Sequence, residues 1–371
     1  MTDADLQRTT TLVLVSAFAV AVAFGAIAQR VRFCTMGAVA DIAIMGDWSR
    51  MRLWAMAAGT AVLGFNAMVA VGWVSASDSF FAGPRVTWLS ALVGGFAFGV
   101  GMVLAGGCAS RNLLRAGTGN LKAVVVLLVI AFTGFATLKG ISAVWRVHTV
   151  DTVAVGLAGS QDLPSMLARA TGVSTAAMAL GLGLAVGAVL LAFALGRRSE
   201  RRLELALGGA ALGLLVVAAW WISGVLGHVA EHPQTLEPAF LATSSRRMEA
   251  LSFVAAVAYA ADYLLFFSDA GKVLTIGIVS AAGMVAGATL HAAWTRSFRW
   301  EGFAGAGDLR DHLLGATLMG VGGVTALGCT IGQGLSGLST LALTSFIAVA
   351  AIVAGGVVGV RWQTWRLERA G

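Results

Sequence analysis

The sequence predicts an all-α integral membrane protein, with about nine transmembrane helices and short re-entrant helices in an inverted repeat. Three observations predict this fold: a very apolar composition, nine long apolar segments and an internal repeat. Of the 371 residues, 58% are hydrophobic and only 12% are charged. Since an ordinary soluble domain is about 25% charged, lipid must be the solvent for most of this chain.

Nine segments are long and apolar enough to cross a bilayer, which takes about 20 residues. They are residues 11–29, 51–74, 88–107, 121–144, 172–196, 203–228, 273–293, 311–327 and 340–360. Two further apolar stretches, 33–47 and 248–267, are shorter or interrupted by acids, and we interpret them as re-entrant segments. The 48 glycines suit close packing between such helices.

The basic residues predict the orientation of the chain in a bacterial inner membrane. The densest basic cluster contains Arg197, Arg198, Arg201 and Arg202, and such clusters stay on the cytoplasmic side. Counting spans from this cluster places the N-terminus outside, the C-terminus in the cytoplasm and 17 of the 25 basic residues inside. The net charge of +7 is therefore interpreted as a topology signal in a lipid bilayer, and nucleic acid is not an expected partner.

An internal repeat appears when the sequence is shifted by 221 residues. Gly94–Cys108 then aligns with Gly315–Cys329, with eight identical positions, and Leu114 further on matches Leu335. The two aligned spans are five spans apart, an odd number, so the two copies have opposite orientations. Inverted repeats with interrupted helices are typical of transporters.

The repeat predicts three parts of the chain. Residues 1–144 form the first repeat with Cys34 and Cys108, residues 145–247 are connecting spans and loops, and residues 248–371 form the second, inverted repeat with Cys329. A substrate site is expected near the membrane midplane, where the two repeats meet.

The three cysteines, Cys34, Cys108 and Cys329, each lie at a break in the helical pattern, and Gly107 and Gly328 directly precede two of them. Broken backbone at membrane depth persists only when it is buried in protein or lines a water-filled path. A thiol is a weak donor on a polarisable sulfur, which suits the weak, multi-site binding that conduction requires. The alternative, that each cysteine is a small buried apolar residue, remains open.

Four charged residues near these breaks are further candidates. Arg32 and Arg111 flank cysteines and are candidates for attracting an anion, although topology and contact with lipid headgroups explain them equally well. Asp41 and Asp262 align with each other in the repeat and lie in the predicted re-entrant segments. They are candidates for proton coupling, with the capping of short helices as the alternative.

Other motifs predict neither a catalytic residue nor a metal or cofactor. His228, Glu231 and His232 match the H-x-x-E-H pattern of zinc peptidases, but they directly precede Pro233, where a helix should stop. We therefore expect a polar loop there. The chain contains no P-loop and no dinucleotide fingerprint, and no cofactor is expected.

Three segments, Gln29–Asp41, Gly101–Leu121 and Gly320–Ser339, resemble the YeeE/YedE family of bacterial sulfur-compound transporters. The resemblance implies nine spanning helices and short dipping helices in an hourglass-like inverted repeat. It also implies thiosulfate uptake, with the three cysteines contacting the ion in turn. Residues 145–247 depart from the shortest family members, and some longer relatives are linked to other sulfur or selenium compounds.

The predicted function is the uptake of thiosulfate or a related small sulfur anion, by a transporter rather than an enzyme. Two alternatives within this reading are a transporter of another sulfur or selenium species and a membrane sulfur-transfer subunit that carries a persulfide. A scaffold with structural thiols is a further alternative. The sequence leaves open whether a cytoplasmic sulfurtransferase partner collects the product.

Overall fold

The computed structural model describes residues 3–196, 202–233, 235–269 and 271–369. Helices dominate these ranges, and the four short strands form two antiparallel pairs in connecting loops. β1 (Arg85–Val86) pairs with β2 (Val155–Gly156), and β3 (His228–Val229) pairs with β4 (Ala239–Phe240).

The described ranges contain fourteen α-helices. They are α1 Asp3–Arg30, α2 Thr35–Met45, α3 Ser49–Val71, α4 Trp88–Leu104, α5 Ala109–Gly117, α6 Leu121–Lys139, α7 Ile141–His148, α8 Leu163–Thr171, α9 Thr175–Leu195, α10 Arg202–Trp221, α11 Val254–Leu265, α12 Ile276–Trp294, α13 Ala306–Thr325 and α14 Leu343–Glu368. A π-helical turn, Ile222–Leu226, extends α10. A second π-helical stretch, Gly332–Gly337, forms the middle of a helical segment over residues 330–339, which we call the 330–339 segment.

Eight helical stretches of the described chain are long and apolar enough to cross a membrane, so the predicted all-α membrane fold is confirmed. Two of them join a long helix to a short one, α1 with α2 and α4 with α5. The predicted span 311–327 corresponds to α13, whose first turns carry the charged residues Asp308, Arg310 and Asp311. These charges shorten its apolar part, and the number of nine spans stays a prediction.

The two predicted re-entrant stretches contain short helices. α2 has 11 residues and α11 has 12 residues. At about 1.5 Å per residue they are roughly 16–18 Å long, about half of the ~30 Å needed to cross the hydrocarbon core. The connecting region predicted at 145–247 contains the long helices α9 and α10 and the shorter α8.

Helices α4 and α13 cross at the centre of the molecule with their backbones almost touching. A Cβ atom added to Gly94 would lie 2.7 Å from the Gly322 carbonyl oxygen, and one added to Gly101 would lie 2.6 Å from that of Gly315. Gly94, early in α4, meets Gly322, late in α13, whereas Gly101, later in α4, meets Gly315, earlier in α13. The two helices are therefore antiparallel. The 221-residue shift converts Gly94 into Gly315 and Gly101 into Gly322, so it exchanges these two contacts.

The other helix contacts show the same exchange. α4 packs beside α14 and α6 beside α13, while α1 packs beside α12 and α10 beside α3. The short helices follow this pattern, because α2 contacts α14 and α11 contacts α6. The first six helices, α1–α6, can be matched in chain order to α10, α11, α12, α13, the 330–339 segment and α14. Replacing each helix by its match converts the α4–α14 contact into the α13–α6 contact, and it converts the other pairs in the same way. An inverted repeat would produce these exchanged contacts, and it stays a prediction.

The close crossing of α4 and α13 predicts that Gly101→Ala destabilises the protein. The new methyl group would overlap the Gly315 carbonyl, which we expect to lower the free energy of unfolding by about 1–3 kcal/mol. The measurement is thermal unfolding of the purified protein in detergent, followed by tryptophan fluorescence.

Gly181→Ala in α9 is the matched control, because a Cβ atom at Gly181 would meet no neighbour within 4 Å. Alanine favours a helix interior over glycine by about 0.5–1 kcal/mol, so this variant should keep or raise the Tm. Equal Tm values for the two variants would show that the crossing is not tightly packed.

Candidate functional site

The chain breaks its helix between α4 and α5, directly before Cys108. Gly106 (φ 66°) and Gly107 (φ 157°) take positive φ values, which glycine tolerates without a steric cost. The Gly107 N–H donates to the Met102 carbonyl at 2.8 Å and closes the end of α4. The Asn112 side-chain amide donates to the carbonyls of Gly107 and Cys108, at 2.8 and 3.1 Å. These bonds hold Cys108 as the residue that begins α5.

The chain repeats this break between α13 and the 330–339 segment, directly before Cys329. Leu327 has φ 57° at the position equivalent to Gly106, and the Gly328 N–H donates to the Gly323 carbonyl at 2.8 Å. The Gln333 side-chain amide donates to the Ala326 carbonyl at 2.6 Å. Gln333 stands 221 residues after Asn112, so it is the equivalent of Asn112 in the second break. Sequence reasoning missed both amide side chains, although each stands four residues after a repeated cysteine.

Cys34 lies at a third helix start. It is the N-cap residue of α2, and its Sγ accepts a hydrogen bond from the Gly37 N–H at 3.3 Å. Its side chain is partly exposed, whereas Cys108 and Cys329 are 2% and 0% exposed. The two buried thiols are thus enclosed by protein and do not face lipid.

Each buried thiol has polar contacts although it lies in the hydrophobic core. The Cys108 sulfur lies 3.1 Å from the Ser110 hydroxyl oxygen. The Cys329 sulfur accepts a hydrogen bond from the Gly332 N–H at 3.4 Å, and the backbone amides of Ile331 and Phe253 also point toward it. Each of the three cysteines therefore stands where backbone N–H groups at a helix start favour negative charge.

The fold brings the three cysteines together. Cys34 is close enough to Cys108 for direct electrostatic interaction, and Cys108 is in turn close enough to Cys329. Cys108 is thus the thiol that interacts with both of the others. All three are free cysteines.

Basic side chains gather around Cys34. Arg50 and Arg111 both interact electrostatically with this thiol, and Arg115 lies within range of Cys34 and Arg111. Arg111 is oriented by a hydrogen bond from its Nη1 to the Gln29 side-chain oxygen at 3.2 Å. The predicted Arg32 side chain is exposed instead. Sequence reasoning missed the role of Arg50, since α3 carries it back toward the start of α2.

The two predicted coupling acids each have a basic partner. Asp41 is 9% exposed and pairs with Arg50, whose Nε lies 3.2 Å from an Asp41 carboxylate oxygen. Asp262 is 5% exposed and accepts from the Lys272 ammonium at 2.8 and 2.7 Å. Both pairs tie a short helix to the residues that follow it, and both acids retain a counter-charge.

The H-x-x-E-H motif does not lie on a helix. His228 belongs to β3, where its ring packs 5.1 Å from the ring of Phe240, and Glu231 and His232 follow in the turn toward β4. The two histidines therefore do not share a helix face. No group of three His, Cys, Asp or Glu side chains suited to a metal ion occurs within the described ranges.

A cavity of about 250 Å³ lies beside Cys329. Its lining includes Gly328, which directly precedes Cys329 in the chain. It also includes Ser252, which directly precedes Phe253, whose backbone N–H points toward the Cys329 sulfur. Polar groups in the lining are contributed by Arg146, Glu249 and Tyr259. The lining thus reaches the chain neighbour of Cys329 but does not include the thiol itself, which is fully buried.

Comparison with known proteins identifies the family of this chain. Residues 30–358 match the model of the family described as sulphur transport. A protein from Spirochaeta thermophila named thiosulfate transporter TsuA is 25% identical over 338 residues, covering 88% of this chain and 91% of the relative. A protein of the same name from Escherichia coli is 24% identical over 348 residues, covering 89% of each chain. The chain belongs to the sulphur transport family.

Proposed function

We propose that this protein takes up thiosulfate, or a closely related sulfur anion, across the bacterial inner membrane as a transporter and not as an enzyme. The observation that carries the proposal is a group of three thiols, Cys34, Cys108 and Cys329, at three helix starts, with Cys108 in electrostatic range of each of the other two. The names of the two relatives supply the substrate.

The proposed path begins in the cavity beside Gly328 and passes Cys329, then Cys108, then Cys34. Each thiol donates a weak hydrogen bond to the anion, and the neighbouring backbone N–H groups balance part of its charge. Thiosulfate offers a polarisable terminal sulfur to these thiols. Because each contact is weak and the next one is near, the anion is able to leave each position.

The basic group near Cys34 is proposed to draw the anion toward the inner end of the path. Arg111 is assigned this role in place of Arg32, because Arg111 interacts with the Cys34 thiol and Arg32 is exposed. Arg50 contributes charge at the same place, although Asp41 offsets part of it.

The same proposal includes the orientation and the two halves. The helices α1–α6 form one half and α10–α14 the other, inverted half, which begins earlier in the chain than residue 248. The N-terminus lies outside and the C-terminus in the cytoplasm, so that the arginines near Cys34 face inward. A cytoplasmic sulfurtransferase that accepts the delivered anion fits this direction.

Replacing any one of the three cysteines by alanine should abolish uptake, because each replacement removes one contact in the group. The measurement is uptake of ³⁵S-labelled thiosulfate into proteoliposomes that contain purified protein. A cell that imports thiosulfate only through this protein should also fail to grow on it with any of the three variants.

Cys108→Ser serves as a comparison, since its hydroxyl keeps a donor at the same place, and it should retain more uptake than Cys108→Ala. All variants must reach the membrane in wild-type amounts. Normal growth and uptake by all three alanine variants would exclude the thiols from the path.

Arg111→Gln should weaken apparent thiosulfate affinity by about tenfold, because a dianion loses a nearby positive charge in a partly desolvated site. Arg32→Gln removes the same charge from an exposed position and should change the affinity by less than about twofold. The measurement is the concentration dependence of uptake. Equal effects of the two variants would contradict the assignment.

Thiosulfate should leave the three thiols chemically unchanged, because the proposed contacts are hydrogen bonds. After exposure to thiosulfate, alkylation and mass analysis of the protein should show no added sulfur on Cys34, Cys108 or Cys329. An adduct of one sulfur atom on any of them would instead support a persulfide-carrying sulfur-transfer subunit.

A further inference from the structure

The cavity beside Cys329 contains a half-buried acid that the path does not otherwise use. Glu249 lies in the segment that joins α10 to α11, outside the eight candidate spans, and its carboxyl lines the cavity together with Ser252 and Gly328. An anion that approaches Cys329 through this cavity must pass close to this carboxyl.

The immediate hydrogen-bond partners of Glu249 are neutral. A Glu249 carboxylate oxygen accepts from the Ser245 N–H at 2.6 Å, and Ser244 and the Ser245 hydroxyl add further contacts. Within the described ranges no basic side chain forms an ion pair with Glu249. This distinguishes it from Asp41 and Asp262, which both have one.

The charged and titratable groups around the cavity come from three other elements. Arg146 of α7 lines it and pairs with Asp151 at 3.0 Å, and the Arg146 Nε has no hydrogen-bond partner. Tyr259 of α11 faces Glu249, and Lys139 of α6 lies 5.7 Å above the Tyr259 ring. α12 and α13 contribute glycine and apolar side chains to the lining.

This arrangement favours a carboxyl that is able to bind a proton. Burial raises the pKa of the Glu249 carboxyl, and the hydrogen bonds from Ser245 and Ser244 partly offset this rise. A carboxylate and a dianion in one cavity repel each other, whereas a protonated carboxyl is neutral and donates a hydrogen bond. The unpartnered Arg146 Nε–H offers a second donor to the same anion.

We propose that Glu249 is the proton-binding residue of a proton-coupled anion transporter. The carboxyl takes a proton from water on the outer side as the anion occupies the cavity, and it releases that proton after the anion has moved past Cys329. One proton then accompanies the anion and lowers the negative charge carried by one. This proposal rests on the proposed transport of thiosulfate and supplies its driving ion.

The test is the pH dependence of thiosulfate exchange in proteoliposomes, with labelled thiosulfate outside, unlabelled thiosulfate inside and the same pH on both sides. Thiosulfate itself remains a dianion between about pH 5.5 and 7.5, and an ordinary cysteine thiol stays protonated there. Histidine and a carboxyl of raised pKa are the side chains able to titrate in this range, and the described lining of the cavity contains the Glu249 carboxyl and no histidine. Since the protonated form is the active one, wild-type exchange should fall as the pH rises, by up to about tenfold per unit above the apparent pKa.

Glu249→Gln imitates the protonated carboxyl, so its exchange should vary by less than about twofold across this range. Glu249→Asp keeps a carboxyl and should keep a pH slope. Glu237→Gln is the matched control, because Glu237 is an exposed acid in the same connecting segment and its replacement should leave the wild-type profile unchanged. A pH-sensitive dye inside the vesicles should record acidification during net thiosulfate uptake by the wild type.

A wild-type pH slope in Glu249→Gln, or wild-type uptake without acidification, would overturn the proton-binding role and leave the transport proposal intact. If Glu249→Gln does not fold, a flat profile in folded Glu249→Asp would overturn the role equally. A wild-type protein that carries no thiosulfate at any pH would overturn the proposed function, and the role of Glu249 in it.

Discussion

The structure depends on one constraint: a helix broken inside a membrane protein must still satisfy its backbone hydrogen-bonding groups. Each unsatisfied group in hydrocarbon costs several kcal/mol. This protein breaks α4 and α13 at equivalent positions and supplies partners for both breaks from within. Asn112 and Gln333 bind the carbonyls that the helices leave unpaired. The crossing of α4 over α13 buries both breaks, since glycines bring the two backbones together.

The two helix breaks determine where backbone N–H groups are free to bind an anion. A continuous helix offers no free N–H groups along its length, whereas a helix that begins again inside the protein presents several at one point. Cys108 and Cys329 stand at these points, and Cys34 stands at the start of α2. The backbone thus provides donors, and the thiols add weak, polarisable ones beside them.

The two ends of the proposed path differ in side chains although the backbone arrangement is repeated. Arginines gather at the Cys34 end, while the cavity beyond Cys329 contains an acid without a basic partner. The repeat position equivalent to Cys34 is Ala255, which lines that cavity. The two ends of the proposed path therefore differ in charge, although the breaks before Cys108 and Cys329 are alike.

The sequence by itself determined the membrane class, the approximate position of the long helices and the equivalence of Cys108 and Cys329 in the 221-residue alignment. Hydrophobic length and residue spacing are local properties, and they can be read without coordinates. The 221-residue offset also indicated which positions are equivalent. The interpretation of Arg32 as a neighbour of the site depended on nearness in sequence alone, and the structure directs that side chain outward.

Only the tertiary structure decided which side chains meet. Arg50 reaches the start of α2 from another helix, and Asp41 and Asp262 acquire basic partners that no motif indicates. Glu249 looks like an ordinary loop acid in the sequence, yet it lines one cavity together with residues of α6, α7, α11 and α13. These contacts join residues far apart in the chain, and their distances follow from how helices pack and cross, which the order of residues along the chain does not state.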